Sequence, residues 1–155
     1  GQEQHFGFTT ERNFNQVKLG QSFSIYIVNY NIANGESLDI AESDIIYIPV
    51  ILDSAYRCLL LVRKNTTGVK AVGIGYMDIA KELERFENKF DFKQVENKAL
   101  LFDPATNILC FVKEELYYPI RSIPKCTSCE DESNQVLNKT EVLNSIRILN
   151  SNLLN

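Results

Sequence analysis

The sequence predicts an α+β fold: an antiparallel sheet of about four to six strands, one helix across a face, and a C-terminal helix. Three observations predict it. Strand-like runs follow one another from Ser22 to Met77, and two of their connections are too short for parallel crossovers. Residues 78–90 carry an apolar stripe at helical spacing, and residues 142–153 carry a second. The chain has 155 residues, 45% hydrophobic and 23% charged, which suits one globular core. With no internal repeat or linker, residues 1–155 read as a single domain.

Residues 1–20 are polar, with scattered Phe6, Phe8 and Phe14, and read as an arm leading into the first strand. Ser22 to Tyr30 is rich in β-branched and aromatic residues, the composition of a strand. Asn34-Gly35 is the strongest turn dipeptide. Asp44–Leu52, Tyr56–Lys64 and Val69–Met77 then form a meander, turned at Asp53-Ser54-Ala55 and at Asn65-Thr66-Thr67-Gly68. Pro49 lacks an N–H and places its strand near an edge or a bulge. Cys58 to Val62 is apolar on both faces, so both faces should be covered.

Ile79, Leu83, Phe86 and Phe90 form the stripe of the first helix, with Asp78 as its expected N-cap. Lys81, Glu82, Glu84, Arg85, Glu87 and Lys89 are expected on its wet face. Lys98–Phe102 and Ile108–Lys113 read as a second hairpin, turned by residues 103–107. Tyr117–Pro124 reads as irregular. From about Ser133 the pattern turns helical, with Val142, Ile146, Leu149 and Leu153 inward and Glu130-Asp131-Glu132 at a favourable end of the dipole.

Chemistry-bearing motifs are few. The net charge is −4 and no Lys/Arg run exists, which argues against nucleic acid and anionic membranes as partners. The longest apolar run, Ile45 to Leu52, falls well short of the roughly 20 residues that span a bilayer. His5 is the sole histidine, close to the chain start, a poor member of any nucleophile pair or metal site. Gly73-Ile74-Gly75 precedes a helix, where phosphate turns occur, but Asp78 stands where the dinucleotide fingerprint needs its third glycine. Close packing or a bulge explains the pair as well. Asp39, Glu42, Asp44, Asp91, Glu114 and Glu115 could supply an acid–base pair, and nothing singles one out. The sequons at Asn65 and Asn138 matter only in a glycosylating host.

Cys126-Thr127-Ser128-Cys129 can be a redox pair, half a zinc site, or a local disulfide or quiet thiols that pin a loop. The following acidic run disfavours a reactive thiolate, so the pinning role leads. Cys58 and Cys110 sit within apolar strands, either as a disulfide or as buried hydrophobes. Tyr117, Tyr118 and Arg121 lie in a proline-bearing stretch suited to recognition, or to packing along a sheet edge.

Ile48-Pro49-Val50-Ile51-Leu52, Cys58 to Val62, Gly68 to Gly75 and Ala80-Lys81-Glu82-Leu83 together resemble small exported proteins of uncharacterised families in Bacteroidetes-type bacteria. The resemblance implies an extracytoplasmic setting and carries no activity, and so no functional residue. The start at Gly1 and the even cysteine count also suggest a processed, exported chain, periplasmic or secreted.

The expectation is a non-enzymatic exported binding module for a protein or peptide, without metal or cofactor, contacting its partner through Tyr117, Tyr118 and Arg121. Two alternatives stand: a thiol enzyme using Cys126 and Cys129, and an assembly component that pairs through a sheet edge. Oligomeric state is not legible.

Overall fold

The computed structural model describes residues 8, 15–31, 37–121 and 136–153. These form a mostly antiparallel sheet and two α-helices, an α+β fold with a C-terminal helix. The strands are β1 (Lys18–Leu19), β2 (Phe23–Asn31), β3 (Ser37–Leu52), β4 (Ala55–Asn65), β5 (Gly68–Gly75), β6 (Ala99–Asp103), β7 (Ile108–Lys113) and β8 (Leu116–Pro119). The helices are α1 (Met77–Phe90) and α2 (Lys139–Leu153). Hydrogen-bonded neighbours follow the order β5-β4-β3-β2-β6-β7-β8, with β1 on β3. Eight strands exceed the expected four to six.

The contacts group into two compact units, Gly1–Ser24 with Asp44–Lys98, and Ile25–Ser43 with Ala99–Asn155. In the first unit, β3 and β4 meet through Asp53 and Ser54, whose φ angles of 53° and 64° make a two-residue turn of the twist-matched kind. The register slips between Val50 and Ile51, leaving Arg57 without a partner in the ladder. That bulge changes which side of β4 each residue faces. Cys58 joins Val50, Leu52 and Phe8 in one buried cluster, while Tyr56 faces α1. Pro49 is therefore beside a bulge, in a strand with neighbours on both sides, rather than on an edge.

The expected arm contributes structure. β1 pairs with Val50 and Ile51 of β3, and Gly20 N donates to the Pro49 carbonyl at 2.8 Å. A Cβ on Gly20 would stand 3.1 Å from Ile51 Cδ1 and 3.2 Å from Pro49 Cβ, so a side chain there would crowd both by a few tenths of an ångström. Phe8 lies in the core beside Cys58.

Helix α1 buries Ile79, Ala80, Leu83 and Phe86, as its stripe predicts. Two details differ. Its N-cap is Tyr76, in the left-handed region without a side-chain cap, and Asp78 lies inside the first turn. Glu87, expected on the wet face, is fully buried. Its position explains this, because residue 87 continues the i+4 spacing from Ile79 and Leu83.

In the second unit, β6, β7 and β8 pair antiparallel. At the last residues of the first unit's two segments, Ser24 N donates to the Lys98 carbonyl at 2.9 Å, and the neighbouring strands β2 and β6 start side by side there. Neighbours in that sense are parallel, and the sheet is accordingly mixed. The whole stretch from β3 through α1 separates β2 from β6, ample for a parallel crossover. The expected irregular stretch at Tyr117 begins as β8 instead. Its turn, Glu114-Glu115, has φ of 52° and 62°, a two-residue hairpin turn made without the usual glycine or asparagine.

Asp103 ends β6 and holds the next turn. Its Oδ2 accepts from Thr106 Oγ1 at 2.5 Å, Thr106 N at 3.2 Å and Tyr30 Oη at 2.7 Å. Helix α2 starts later than expected, and Asn138 caps it. Asn138 Oδ1 accepts from Glu141 N at 3.0 Å, while Asn138 N donates to Glu141 Oε2 at 2.8 Å, a reciprocal capping box. Val142 and Ile146 pack with Ile40, Leu101, Ile108, Cys110, Tyr117 and Leu137. The Asn34-Gly35 turn and the acidic run 130–132 lie outside the described residues.

Candidate binding site

Strand β5 ends the hydrogen-bonding order, and among the described residues no segment pairs with its outer edge. The opposite end of the order is treated differently. There β8 is bridged by Leu137, which exchanges backbone hydrogen bonds of 2.8 Å with Tyr117 in both directions. An open row of backbone N–H and C=O groups is a template for another strand.

The side chains of β5 strengthen that template. Its residues are exposed up to Ile74, with Val69 at 73%, Val72 at 44% and Ile74 at 38%. Register places Val69, Ala71 and Ile74 opposite Lys64, Val62 and Leu60 of β4, so these three share one face. Leu60 packs on the Phe8–Val50–Leu52–Cys58 cluster, and Val62 is buried. An apolar layer that is closed on β4 thus runs out into solvent on β5. Val72 has no partner in the β4 ladder, because the register slips there. Gly73 and Gly75 are paired residues of this strand, opposite Leu61 and Leu59. A Cβ on Gly75 would meet nothing within 4 Å, so close packing does not account for that glycine. The bulge accounts for the neighbourhood.

Tyr76 joins β5 to α1 and is exposed. Its φ of 54° is costly for an aromatic residue. Its ring stacks on Tyr47 with centroids 5.8 Å apart. Burial, then the neighbouring Tyr76, pushes the Tyr47 phenol up to about 12.

A buried polar network underlies this unit. Tyr56 Oη donates to Glu87 Oε2 at 2.7 Å, and Lys98 Nζ donates to Glu87 Oε1. Lys98 Nζ also lies 5.4 Å from the Phe23 ring centroid. Burial, then the Glu87 carboxylate, raises the Tyr56 phenol far above its ordinary range. With Glu87 at 0% exposure, no solute reaches the carboxylate in this conformation. The network ties α1 to β4 and to the residue that precedes β6. Sequence reasoning missed it, although the spacing of Glu87 from Leu83 was the available signal.

The three candidate contact residues differ in burial. Tyr117 is 6% exposed and belongs to the α2 core cluster, so its ring supports packing instead of an open contact surface. Tyr118 pairs with Phe111 in β8 and is half-buried. Arg121 Nη1 donates to Asn107 Oδ1, and its backbone N reaches the Leu109 carbonyl at 3.4 Å. Cys126, Cys129 and His5 lie outside the described residues. Among the described residues, no cluster of three His, Cys, Asp or Glu side chains is placed to hold a metal ion. No helix there is long and apolar enough to cross a membrane.

Cys58 and Cys110 are free thiols, each buried in a different cluster, which removes the disulfide between them. Burial pushes the Cys58 thiol up to about 11 and the Cys110 thiol up to about 12. At pH 8 both are expected to resist iodoacetamide in the native protein and to react in denaturant, read by peptide mapping. Reaction at native rates equal to denatured rates would contradict their burial. The sign of the pH effect follows. A raised thiol pKa contributes stability that is complete below the ordinary value of 9.0 and is lost as pH climbs through 11.

No protein-family model, no curated protein and no solved structure matches this chain.

Proposed function

We propose that this chain is a non-enzymatic binding module that captures an extended segment of a protein partner by strand addition along β5. The observation that carries this reading is the exposed apolar side of an edge strand that no described segment pairs with, Val69, Ala71 and Ile74, beside buried Val62 and half-buried Leu60. In strand addition the open backbone supplies affinity, and alternate side chains supply selectivity. A segment with apolar residues at alternate positions would extend the apolar layer that β5 leaves open. The resemblance to small exported proteins supports an extracytoplasmic setting; the free thiols of Cys58 and Cys110 add nothing to it.

Hydrogen exchange tests the reading. A short peptide alternating valine and threonine, in excess, is expected to slow amide exchange within 68–75 and to leave α2 unchanged. Exchange in 68–75 that stays the same in the presence of peptide would count against strand addition. Val72→Pro gives a second handle. Val72 lies at the register slip and has no partner residue on β4, a bulge position where a sheet tolerates proline. The variant is expected to keep its thermal transition and lose the protection.

A further inference from the structure

Charge on the β4–β5 hairpin is of one sign. Between Ala55 and Gly75 the chain carries Arg57, Arg63, Lys64 and Lys70 and no acidic residue. Arg63 and Lys70 stand directly opposite each other in the ladder, an unfavourable placement for like charges. Arg63 is relieved from the β3 side, where its Nε lies 3.1 Å from Asp44 Oδ2. Among the described residues Lys64 and Lys70 have no ion-pair partner.

Lys70 faces the open edge in unusual isolation. Register puts it on the same side of β5 as Gly73 and Gly75, opposite to Val69, Ala71 and Ile74. One face of the edge is therefore apolar, and the other bears an ammonium group flanked by residues without side chains. A strand added to β5 places a side chain opposite Lys70, with Cβ atoms about 4.5–5.5 Å apart. A carboxylate there would give Lys70 the counter-ion that its own hairpin lacks.

We infer that β5 receives an extended protein segment that alternates apolar and polar residues and sets an aspartate or glutamate against Lys70. This rests on the strand-addition reading and names the partner's chemistry. A second copy of the chain is the poorer occupant. Two β5 edges would bring together hairpins that carry only cations, and neither could supply the missing acid.

Fluorescence anisotropy with three labelled peptides tests it on the full chain. Each peptide alternates valine and threonine, and the central polar residue is glutamate, glutamine or lysine. At low salt the glutamate peptide is expected to bind about 2–5-fold more tightly than the glutamine peptide, with the lysine peptide weakest. The preference should fade as salt rises, and Lys70→Glu should invert the order. Lys70 is exposed, so this variant is expected to fold, and an unchanged thermal transition verifies that. Equal affinities with protection of 68–75 would overturn the acidic partner and leave strand addition standing. No binding by any peptide, with no protection, would overturn both. Concentration-dependent dimerisation that Val72→Pro abolishes would replace the acidic partner with a second copy.

Discussion

Lys98→Met is expected to lower folding stability by about 3–5 kcal/mol, read from urea denaturation at neutral pH. The reason lies in what remains. Glu87 is fully buried and its carboxylate has two partners, Lys98 Nζ and Tyr56 Oη. Methionine keeps the volume and most of the apolar stem but removes the ammonium group. The carboxylate is then left in a low-dielectric site with one neutral donor, and water cannot replace the lost partner. For a chain of this size the loss corresponds to roughly 6–20 °C in Tm. The double variant Glu87→Leu, Lys98→Met removes both charges and is expected to recover most of the loss, because apolar replacement of a buried pair is often neutral or better. A cost for Lys98→Met near that of a surface ion pair, below about 1 kcal/mol, would contradict this account.

Tyr117→Ala is expected to cost about 3–5 kcal/mol, the range for emptying an aromatic site in a core. The ring packs in one cluster with Leu101, Cys110, Leu137, Val142 and Ile146, where α2 meets the strands of its unit. Removing it leaves a cavity between rigid backbones that cannot collapse together. Tyr117→Phe keeps the ring and is expected to cost less than about 1 kcal/mol. If Tyr117 instead served as an exposed contact, both variants would be nearly neutral to stability.

These two residues mark where the sequence was legible and where it was not. The β3–β4–β5 meander and α1 could be read because short turns and a helical stripe are local signals. Tyr117 was misplaced because its hairpin turn is Glu114-Glu115, two residues that adopt positive φ without the composition that advertises it. Proline at 119 and adjacent tyrosines then looked like loop, although Pro119 closes β8 opposite Cys110. Glu87 was misplaced because charge was read as wet. Its partner Lys98 lies eleven residues away, and no local pattern pairs them. The open edge was half legible. Lys70 and the glycines at 68, 73 and 75 are the composition of an edge strand, but only the pairing order shows that no described segment lies beyond it.

The central claim is that β5 is a receiving edge. Nuclear magnetic resonance on isotope-labelled protein with the unlabelled glutamate peptide tests it most directly. The account predicts intermolecular cross-strand contacts from backbone protons of Val69, Ala71 and Ile74 to the peptide backbone. Contacts that map to Tyr118 and Arg121 instead, with β5 unperturbed, would contradict it.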